Sequence, residues 1–134
     1  RSKEFVTKKI IDTAIKMKKN KKIKLRLGNV NIFRDWGWAP EYVNAIWLMM
    51  QRNKPTDLII GSGKVHSIRE FTNEVFRLLN LNKKNLITGD KKYKRNIDIR
   101  GYKADIRLTK KMLKWAPKLN LKQIIFKMVK NELF

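Results

Sequence analysis

The spacing of apolar residues changes from helical to extended early in the chain, and this change limits the possible fold more than any other feature. Apolar residues first recur every three or four positions, with lysines between them, at Val6, Ile10, Ala14 and Met17. This spacing predicts an amphipathic helix from Phe5 to about Lys19. The next segment, Lys22–Leu27, alternates polar and apolar residues and predicts a half-buried strand. Short elements of alternating type favour an α/β fold.

Two further helices begin at residues that suit the first turn of a helix. Pro40 and Glu41 fit a helix start. The segment after them, Tyr42–Arg52, is apolar on most sides and predicts a helix buried against other elements. Ser67 and Glu70 have the spacing of a capping box, in which each side chain accepts a hydrogen bond from a free amide of the helix start.

The second half of the chain alternates extended segments with helices. The short apolar run Asp57–Ile60 predicts a strand, and Asn85–Ile99 is predicted to be mostly extended. Asp105 can cap a helix that Pro117 ends, and Asn120 can cap the last helix.

The chain carries a net charge of +22 over 134 residues, which is typical of proteins with polyanionic partners. The lysines are scattered along the whole chain, with one denser run from Lys16 to Lys24. Lys, Asn and Ile are abundant together, as codons rich in A and T would produce. The sequence has no RNA-recognition signature, zinc-finger spacing or basic-zipper heptad. These observations favour compositional drift combined with a phosphate-binding site, and a basic nucleic-acid-binding module is the less favoured alternative.

Several classes of protein are disfavoured by what the sequence lacks. It contains no cysteine, which excludes disulfides and thiolate metal sites within these residues and is compatible with a cytoplasmic location. No apolar run approaches the length of a membrane span, and no signal peptide is visible, so no membrane partner is predicted. The first residue is Arg1 rather than Met, so we expect further residues upstream.

The residues needed for a complete enzyme are not found together in this chain. Its single histidine, His66, lies beside a predicted helix cap, where a structural or exposed role is favoured over catalysis. Tyr93 and Tyr102 are not followed four residues later by lysine, and no glycine-rich nucleotide loop or metal-ligand cluster is present. We therefore expect a binding function for this segment and the catalytic groups elsewhere.

Three basic clusters can bind a diphosphate. Phe5–Lys9 combines lysines with the free amides of a helix start. Arg34 lies in a loop flanked by aromatic residues. In the third cluster, Arg95 can fork onto phosphate oxygens, and Asp98 can accept hydrogen bonds from ribose hydroxyls. An arginine with a carboxylate suits a nucleotide diphosphate better than a nucleic-acid backbone, because the carboxylate repels polyphosphate but pairs well with a diol.

The same segments resemble those of one enzyme family, in order and over essentially the whole chain. Phe5–Ile10 is similar to the Phe-Val-Thr-Arg-Lys-Ile segment of GDP-mannose 4,6-dehydratases. Leu27–Asn29 followed by Arg34–Val43 resembles that family's Leu-Gly-Asn and Arg-Asp-Trp-Gly stretch. Ser67–Phe71 resembles its Ser-Val-Arg-Glu-Phe helix entry, and Asp90–Pro117 resembles a later stretch that ends in Trp-x-Pro. The Arg-Asp-Trp-Gly block is the most specific of these likenesses.

The resemblance implies a Rossmann-type extended short-chain dehydrogenase/reductase, with a sheet domain that holds NADP and a C-terminal lobe that holds GDP-mannose. Residues 1–134 would be that α/β lobe, without the N-terminal cofactor-binding sheet and its catalytic groups. The family's reaction moves a hydride from C4 of the sugar onto NADP, eliminates water across C5 and C6, and returns the hydride to C6. The family resemblance also implies a homo-oligomer, either a dimer or a tetramer.

Site residues are implied only at positions that match the family. Lys9 and the backbone near Val6 would face the guanine nucleotide. Arg34 would bind the diphosphate or reach the sugar. Arg95 would bind phosphate, and Asp98, where the family has Glu, would lie near the ribose.

One cofactor contact and several departures complete the resemblance. Arg1 matches the last arginine of a stretch that approaches NADP in the family. Lys8 replaces Arg, Asn96 replaces Pro, and Asp98 is shorter than Glu by one methylene. These departures leave the identity of the sugar undetermined, so the alternatives are a GDP-heptose dehydratase, another GDP-hexose dehydratase or a 4-reductase with the same lobe.

Overall fold

The computed structural model describes residues 5–93 and 100–133. Within these ranges the chain forms five α-helices, four two-residue strands and two short 3₁₀ turns. In chain order the helices and strands are α1 (Val6–Lys19), β1 (Leu25–Arg26), β2 (Phe33–Arg34), α2 (Ala39–Met50), β3 (His66–Ser67), α3 (Ile68–Leu78), β4 (Leu86–Ile87), α4 (Arg107–Leu113) and α5 (Leu121–Leu133). None of the helices in the described ranges is long and apolar enough to cross a lipid bilayer.

The strands form two small sheets, in agreement with the expected α/β class. β1 and β4 pair in parallel, with Leu25 opposite Leu86. β2 and β3 pair antiparallel, with Arg34 opposite His66. The predicted alternation around β1 is confirmed, because Leu25 and Leu27 are buried while Arg26 between them is exposed. The strand itself is shorter than Lys22–Leu27.

The main hydrophobic core lies between α1, α3 and α5, which pack on one another and on the β1 side of the first sheet. Its fully buried members come from one face of each helix, as the helical spacing predicted. They include Ile10, Ile11 and Ala14 from α1, Phe71, Val75 and Phe76 from α3, and Ile125 from α5. These three helices and the strand next to them therefore form the platform that carries the loops around β2.

The predicted caps of α3 and α5 are present. The Ser67 hydroxyl accepts a hydrogen bond from the Glu70 amide at 3.0 Å, and the Glu70 carboxylate accepts one from the Ser67 amide at 3.0 Å. Asn120 and Gln123 make the same reciprocal pair at the start of α5, at 3.0 and 2.9 Å. Local sequence therefore determines where α3 and α5 begin. The predicted cap at Asp105 was wrong, because the N-cap residue of α4 is Ile106, which has no side-chain cap hydrogen bond. The Asp105 carboxylate, one residue earlier in the chain, accepts from the Arg107 amide at 3.1 Å.

Two predictions about extended and terminal segments were wrong. Asp57–Ile60 forms no strand in the described part of the chain. The Ile59 carbonyl instead accepts a hydrogen bond of 2.6 Å from the Thr109 hydroxyl, so a side chain takes the place of a strand partner. α4 ends at Leu113, before Pro117, because Lys114 adopts the left-handed conformation with φ of 50°.

The prediction that the second helix is buried was also wrong. Within α2 only Ala45 is buried, and Trp47 and Met50 are 56% and 76% exposed. The described chain covers this helix on one side only, where α4 lies beside it and Tyr42 contacts Trp115 edge-on. Apolar surface is therefore exposed around Trp47. Trp36 and Trp38, in the loop before this helix, are half-buried.

Candidate functional site

Lys9 is held over an aromatic ring in the first helix. α1 begins at Val6, and the Lys9 amide donates to the Phe5 carbonyl at 2.9 Å. The Lys9 ammonium lies 3.2 Å from the centre of the Tyr93 ring, a cation–π contact. Phe5, the N-cap residue, offers no side-chain acceptor to the first amides of the helix. The start of α1 therefore combines amides that lack a side-chain cap with a positioned ammonium, as an anion site requires.

The position of Tyr93 is fixed by contacts with the residues that follow β1. Its backbone carbonyl lies so close to Gly28 that a Cβ on Gly28 would be 2.5 Å from the Tyr93 oxygen. The Tyr93 amide donates to the Asp90 carbonyl at 3.0 Å, and the Asp90 amide donates to Leu27 at 3.1 Å. Gly28, in the Leu-Gly-Asn segment, is therefore needed for the close approach that brings Tyr93 under Lys9.

Lys8 does not contribute to this anion site, although the sequence placed it in the same basic cluster. Its ammonium pairs with Asp12 at 2.7 Å and with Glu132 of α5. Hydrogen bonds to these two carboxylates raise the pKa of Lys8 above its usual value. Lys8 therefore joins α1 to α5 through Glu132, and its charge is already matched by two carboxylates.

Arg34 ends β2 and is half-buried. Its guanidinium donates a hydrogen bond of 2.7 Å to the Phe33 carbonyl and lies 5.8 Å from the centre of the Tyr102 ring. On the other side of the strand from β3, the Phe33 amide donates to the Arg100 carbonyl at 2.8 Å. Arg34 is thus carried by a strand with backbone hydrogen bonds to segments on both sides.

Sequence reasoning missed Asp35, whose carboxylate joins three segments of the chain. It accepts hydrogen bonds from the amides of Ser62 at 2.8 Å, Gly63 at 2.9 Å and Ala104 at 3.3 Å. A Cβ on Gly61 would be 2.3 Å from the Ala104 side chain, so this glycine permits the close approach. The signal was the Gly-Ser-Gly run, which supplies accessible amides, but only the fold shows that they meet the residue after Arg34.

The aromatic half of the same motif packs into the core. Trp36 contacts Phe71, with ring centres 5.1 Å apart. The Tyr42 hydroxyl occupies the position where Gly37 would carry a side chain, 1.9 Å from a Cβ built there. A cavity of about 350 Å³ separates Trp36 and Trp38 from α1 and α5. The motif therefore anchors Arg34 and Asp35 to α3 through Trp36.

Three predicted site residues cannot be placed. Arg1, Arg95 and Asp98 lie outside the described residues. The described residues on either side of 94–99 are Tyr93, which lies under Lys9, and Arg100, which is hydrogen-bonded to Phe33. The chain thus enters this stretch beside Lys9 and leaves it beside Arg34.

His66 has an acidic neighbour on its own helix entry. Its Nδ1 atom lies 3.3 Å from a carboxylate oxygen of Glu70, which also accepts from the Ser67 amide. No group of three histidine, cysteine, aspartate or glutamate side chains suited to a metal ion occurs in the ranges 5–93 and 100–133.

Comparison with known structures supports the fold. The chain superimposes on RMD from Pseudomonas aeruginosa, solved with NADPH, with a TM-score of 0.86 at 16% identity, covering 98% of this chain and 43% of that one. It superimposes on dTDP-glucose 4,6-dehydratase from Bacillus anthracis, solved with NAD, with a TM-score of 0.80 at 20% identity, covering 97% of this chain and 39% of that one. The described elements thus match part of a Rossmann-type extended short-chain dehydrogenase/reductase.

Sequence comparison is more specific. GDP-mannose 4,6 dehydratase 1 of Arabidopsis thaliana is 37% identical over 133 residues, which is 99% of this chain. The chain spans only 37% of the length of that relative. The model of the GDP-mannose 4,6 dehydratase family matches residues 1–128. By this match, which runs through both the Lys9 helix and the Arg34 strand, the chain belongs to the GDP-mannose 4,6-dehydratase family.

Proposed function

We propose that this chain is the nucleotide-sugar-binding part of an NADP-dependent GDP-mannose 4,6-dehydratase. The whole protein would act as a lyase that converts GDP-mannose to GDP-4-keto-6-deoxymannose. In this proposal Val6, Lys9, Arg34, Arg95 and Asp98 bind the GDP-sugar. The family match over residues 1–128 supports the reaction class, and the positions of Lys9 and Arg34 support the binding role.

The observation that carries the proposal is that the described residues on either side of 94–99 contact the surroundings of two basic residues. Tyr93 lies under Lys9, and Arg100 is hydrogen-bonded to the strand of Arg34. The six residues between them in sequence include Arg95 and Asp98. The residues that flank the third basic cluster in sequence therefore lie beside the other two clusters, which supports a shared diphosphate site.

Each side chain would have a distinct task. The ammonium of Lys9 and the first amides of α1, near Val6, favour an anionic or hydrogen-bonding group at the helix start. Arg34 can bind two phosphate oxygens with its planar guanidinium. Asp35 holds the strand of Arg34 against two other segments, so the arginine need not be ordered when the ligand binds. This preorganisation helps to orient the sugar for a reaction elsewhere in the protein.

NADP would supply the acceptor and donor of the hydride that leaves C4 and returns to C6. Arg1, the cofactor contact implied by the family, lies outside the described residues. The described residues therefore carry the substrate side of the proposal rather than the cofactor side.

The test is GDP binding by the 134-residue chain, measured by isothermal titration calorimetry. Arg34→Ala should weaken GDP binding by about tenfold or more, because charge-assisted hydrogen bonds to phosphate are lost. Arg107→Ala is the matched control, since Arg107 is exposed and pairs with Asp105. Unchanged GDP affinity in Arg34→Ala would count against the proposed site.

The sugar is a separate question from the nucleotide. Asp98 in place of Glu and Asn96 in place of Pro make a GDP-heptose dehydratase, another GDP-hexose dehydratase or a 4-reductase the alternatives. Product analysis with GDP-mannose and GDP-heptose, using a full-length protein that contains this chain, distinguishes them. The mass of the same protein in solution tests the dimer or tetramer that the family implies.

A further inference from the structure

We propose that the end of α1 carries a second binding surface, which holds the phosphate backbone of double-stranded nucleic acid. This lysine surface consists of the six exposed lysines of residues 16–24 together with Lys83 and Lys84. From the sequence alone, the lysine excess favoured compositional drift. The fold adds an arrangement that drift does not predict, because it brings two separate lysine runs to one place.

Backbone contacts hold the two runs together. α1 ends at Lys19, and the following turn is closed by a hydrogen bond of 3.1 Å from the Ile23 amide to the Asn20 carbonyl. The Asn85 side chain donates to the Lys21 carbonyl at 3.1 Å. Since β1 and β4 are parallel, the residues that precede the two strands lie at the same end of the sheet. Lys83 and Lys84 therefore lie beside the turn after α1.

The charges of this surface are not compensated within the described chain. Among residues 5–93 and 100–133, no carboxylate lies within 4.0 Å of any ammonium of the lysine surface. Lys8, near the start of the same helix, contrasts with them because it pairs with Asp12 and Glu132. The negative end of the α1 dipole stabilises the lysines of the last turn in place of acidic side chains. The surface is thus available to an external polyanion.

The chemistry of the surface favours a duplex over a bilayer or a single strand. The apolar residues of the same segment point inward: Met17 and Leu25 are buried, and Ile23 is half-buried. Surface-binding membrane helices insert apolar side chains, and single-strand binders stack bases on aromatic rings. The lysine surface offers neither group. It offers exposed point charges, which suffice for sequence-independent contact with phosphates.

The lysine surface is separate from the proposed GDP site. On α1, Lys16 is the lysine of the surface nearest to Lys9 in sequence, and their separation of seven residues corresponds to about 10 Å along the helix axis. Along β1, the lysine surface lies before the strand, and the Gly28–Tyr93 contact follows it. Both ligands can therefore bind together, and the inference does not rest on the proposed function.

Fluorescence anisotropy with a labelled DNA duplex of about 20 base pairs, at rising salt, tests the inference. The variant of the lysine surface is Lys18→Gln, Lys19→Gln, Lys21→Gln and Lys22→Gln combined. The control removes the same charge from exposed positions elsewhere: Lys54→Gln, Lys110→Gln, Lys111→Gln and Lys118→Gln. We expect the first variant to bind about a hundredfold more weakly at low salt and the slope of log affinity against log salt to fall by about three to four, with much smaller changes in the control.

Equal losses in the two quadruple variants would overturn the inference, because binding would then follow total charge. Tighter binding of the wild-type chain to phosphatidylserine vesicles than to the duplex would assign the surface to membranes instead. Unchanged thermal melting of both variants shows that the losses arise at the surface. A wild-type chain that binds the duplex but not GDP would reject the proposed function and leave this inference standing.

Discussion

The three-helix core and α2 contain similar apolar residues but have opposite environments. α1, α3 and α5 bury one face each against the others, and Phe71 and Val75 are almost completely inaccessible. α2 is the most apolar of the helices in sequence, yet Val43 is 63% exposed. Burial of a helix therefore depends on the elements available to pack against it as much as on its own composition.

The exposed face of α2 can be set beside the length of the relatives. The chain spans 37% of the length of the Arabidopsis relative, and the described residues leave Val43, Ile46 and Trp47 exposed. Exposed apolar surface of this kind marks an interface. We therefore expect Val43, Ile46 and Trp47 to pack against another part of the full protein.

The largest effect should come from the core. Phe71→Ala removes a buried ring that contacts Trp36, and we expect the free energy of unfolding to fall by about 3–5 kcal/mol. Trp47→Ala removes a larger but exposed ring on α2, and a change of less than about 0.5 kcal/mol is expected in the 134-residue chain. Urea unfolding followed by circular dichroism measures both. If the free energy of unfolding fell by similar amounts in the two variants, Phe71 in the core and Trp47 on α2 would contribute equally to stability, contrary to this comparison.

Asp35 tests the link between the core and the loops around β2. In Asp35→Asn one oxygen acceptor and the negative charge are lost, so the amides of Ser62, Gly63 and Ala104 lose their charged partner. We expect about 2 kcal/mol of destabilisation. Asp57→Asn, at an exposed position, is the control in the same unfolding experiment. A loss no greater than that of the control would show that the three hydrogen bonds contribute nothing net.

The face of α2 can be tested without changing stability. Ile46→Ser, Trp47→Ser and Met50→Ser together should lower the fluorescence of a bound hydrophobic dye several-fold, because the exposed patch is removed. Unfolding by urea should change little, since these side chains contact water. Dye fluorescence that stays at the wild-type level would place the exposed apolar surface elsewhere on the chain.

The smallest effect should be found beside α4, the neighbour of α2. Hydrogen bonds from Arg107 lower the pKa of Asp105 from its ordinary 3.8 to about 2. Because the folded chain holds this proton less tightly than the unfolded chain, the contribution is present above about pH 3.8 and is lost as the pH falls to about 2. In Asp105→Asn, the melting temperature should depend less on pH than in the wild-type chain, and only in that window. A weaker pH dependence above pH 5 instead would point to another titrating group.

Local sequence was sufficient to predict the helices and most of their starting points. α1 follows the spacing of its apolar residues, α5 begins directly after the predicted cap Asn120, and the Ser67–Glu70 box lies where the sequence placed it. These features depend on residues within one or two turns of each other, so short-range chemistry decides them.

The failures came from contacts between residues distant in sequence. The Ile59 carbonyl is satisfied by Thr109, fifty residues later, rather than by a strand. Lys8 was predicted to bind anions, but Glu132 at the other end of the chain matches its charge. The role of Asp35 depends on amides from two remote segments. None of these pairs leaves a local pattern.

The family, the face of the first helix and the positions of the basic residues can be read from the sequence, because motifs and periodicity depend on neighbouring positions. What each cation contacts depends on the fold: Lys9 lies on Tyr93, Lys8 pairs with two carboxylates, and the lysines after α1 lie beside Lys83 and Lys84. The electrostatic energy of a charge depends on its distance in space from other charges. Lysines at different positions therefore acquire different roles from the neighbours that the fold brings to them.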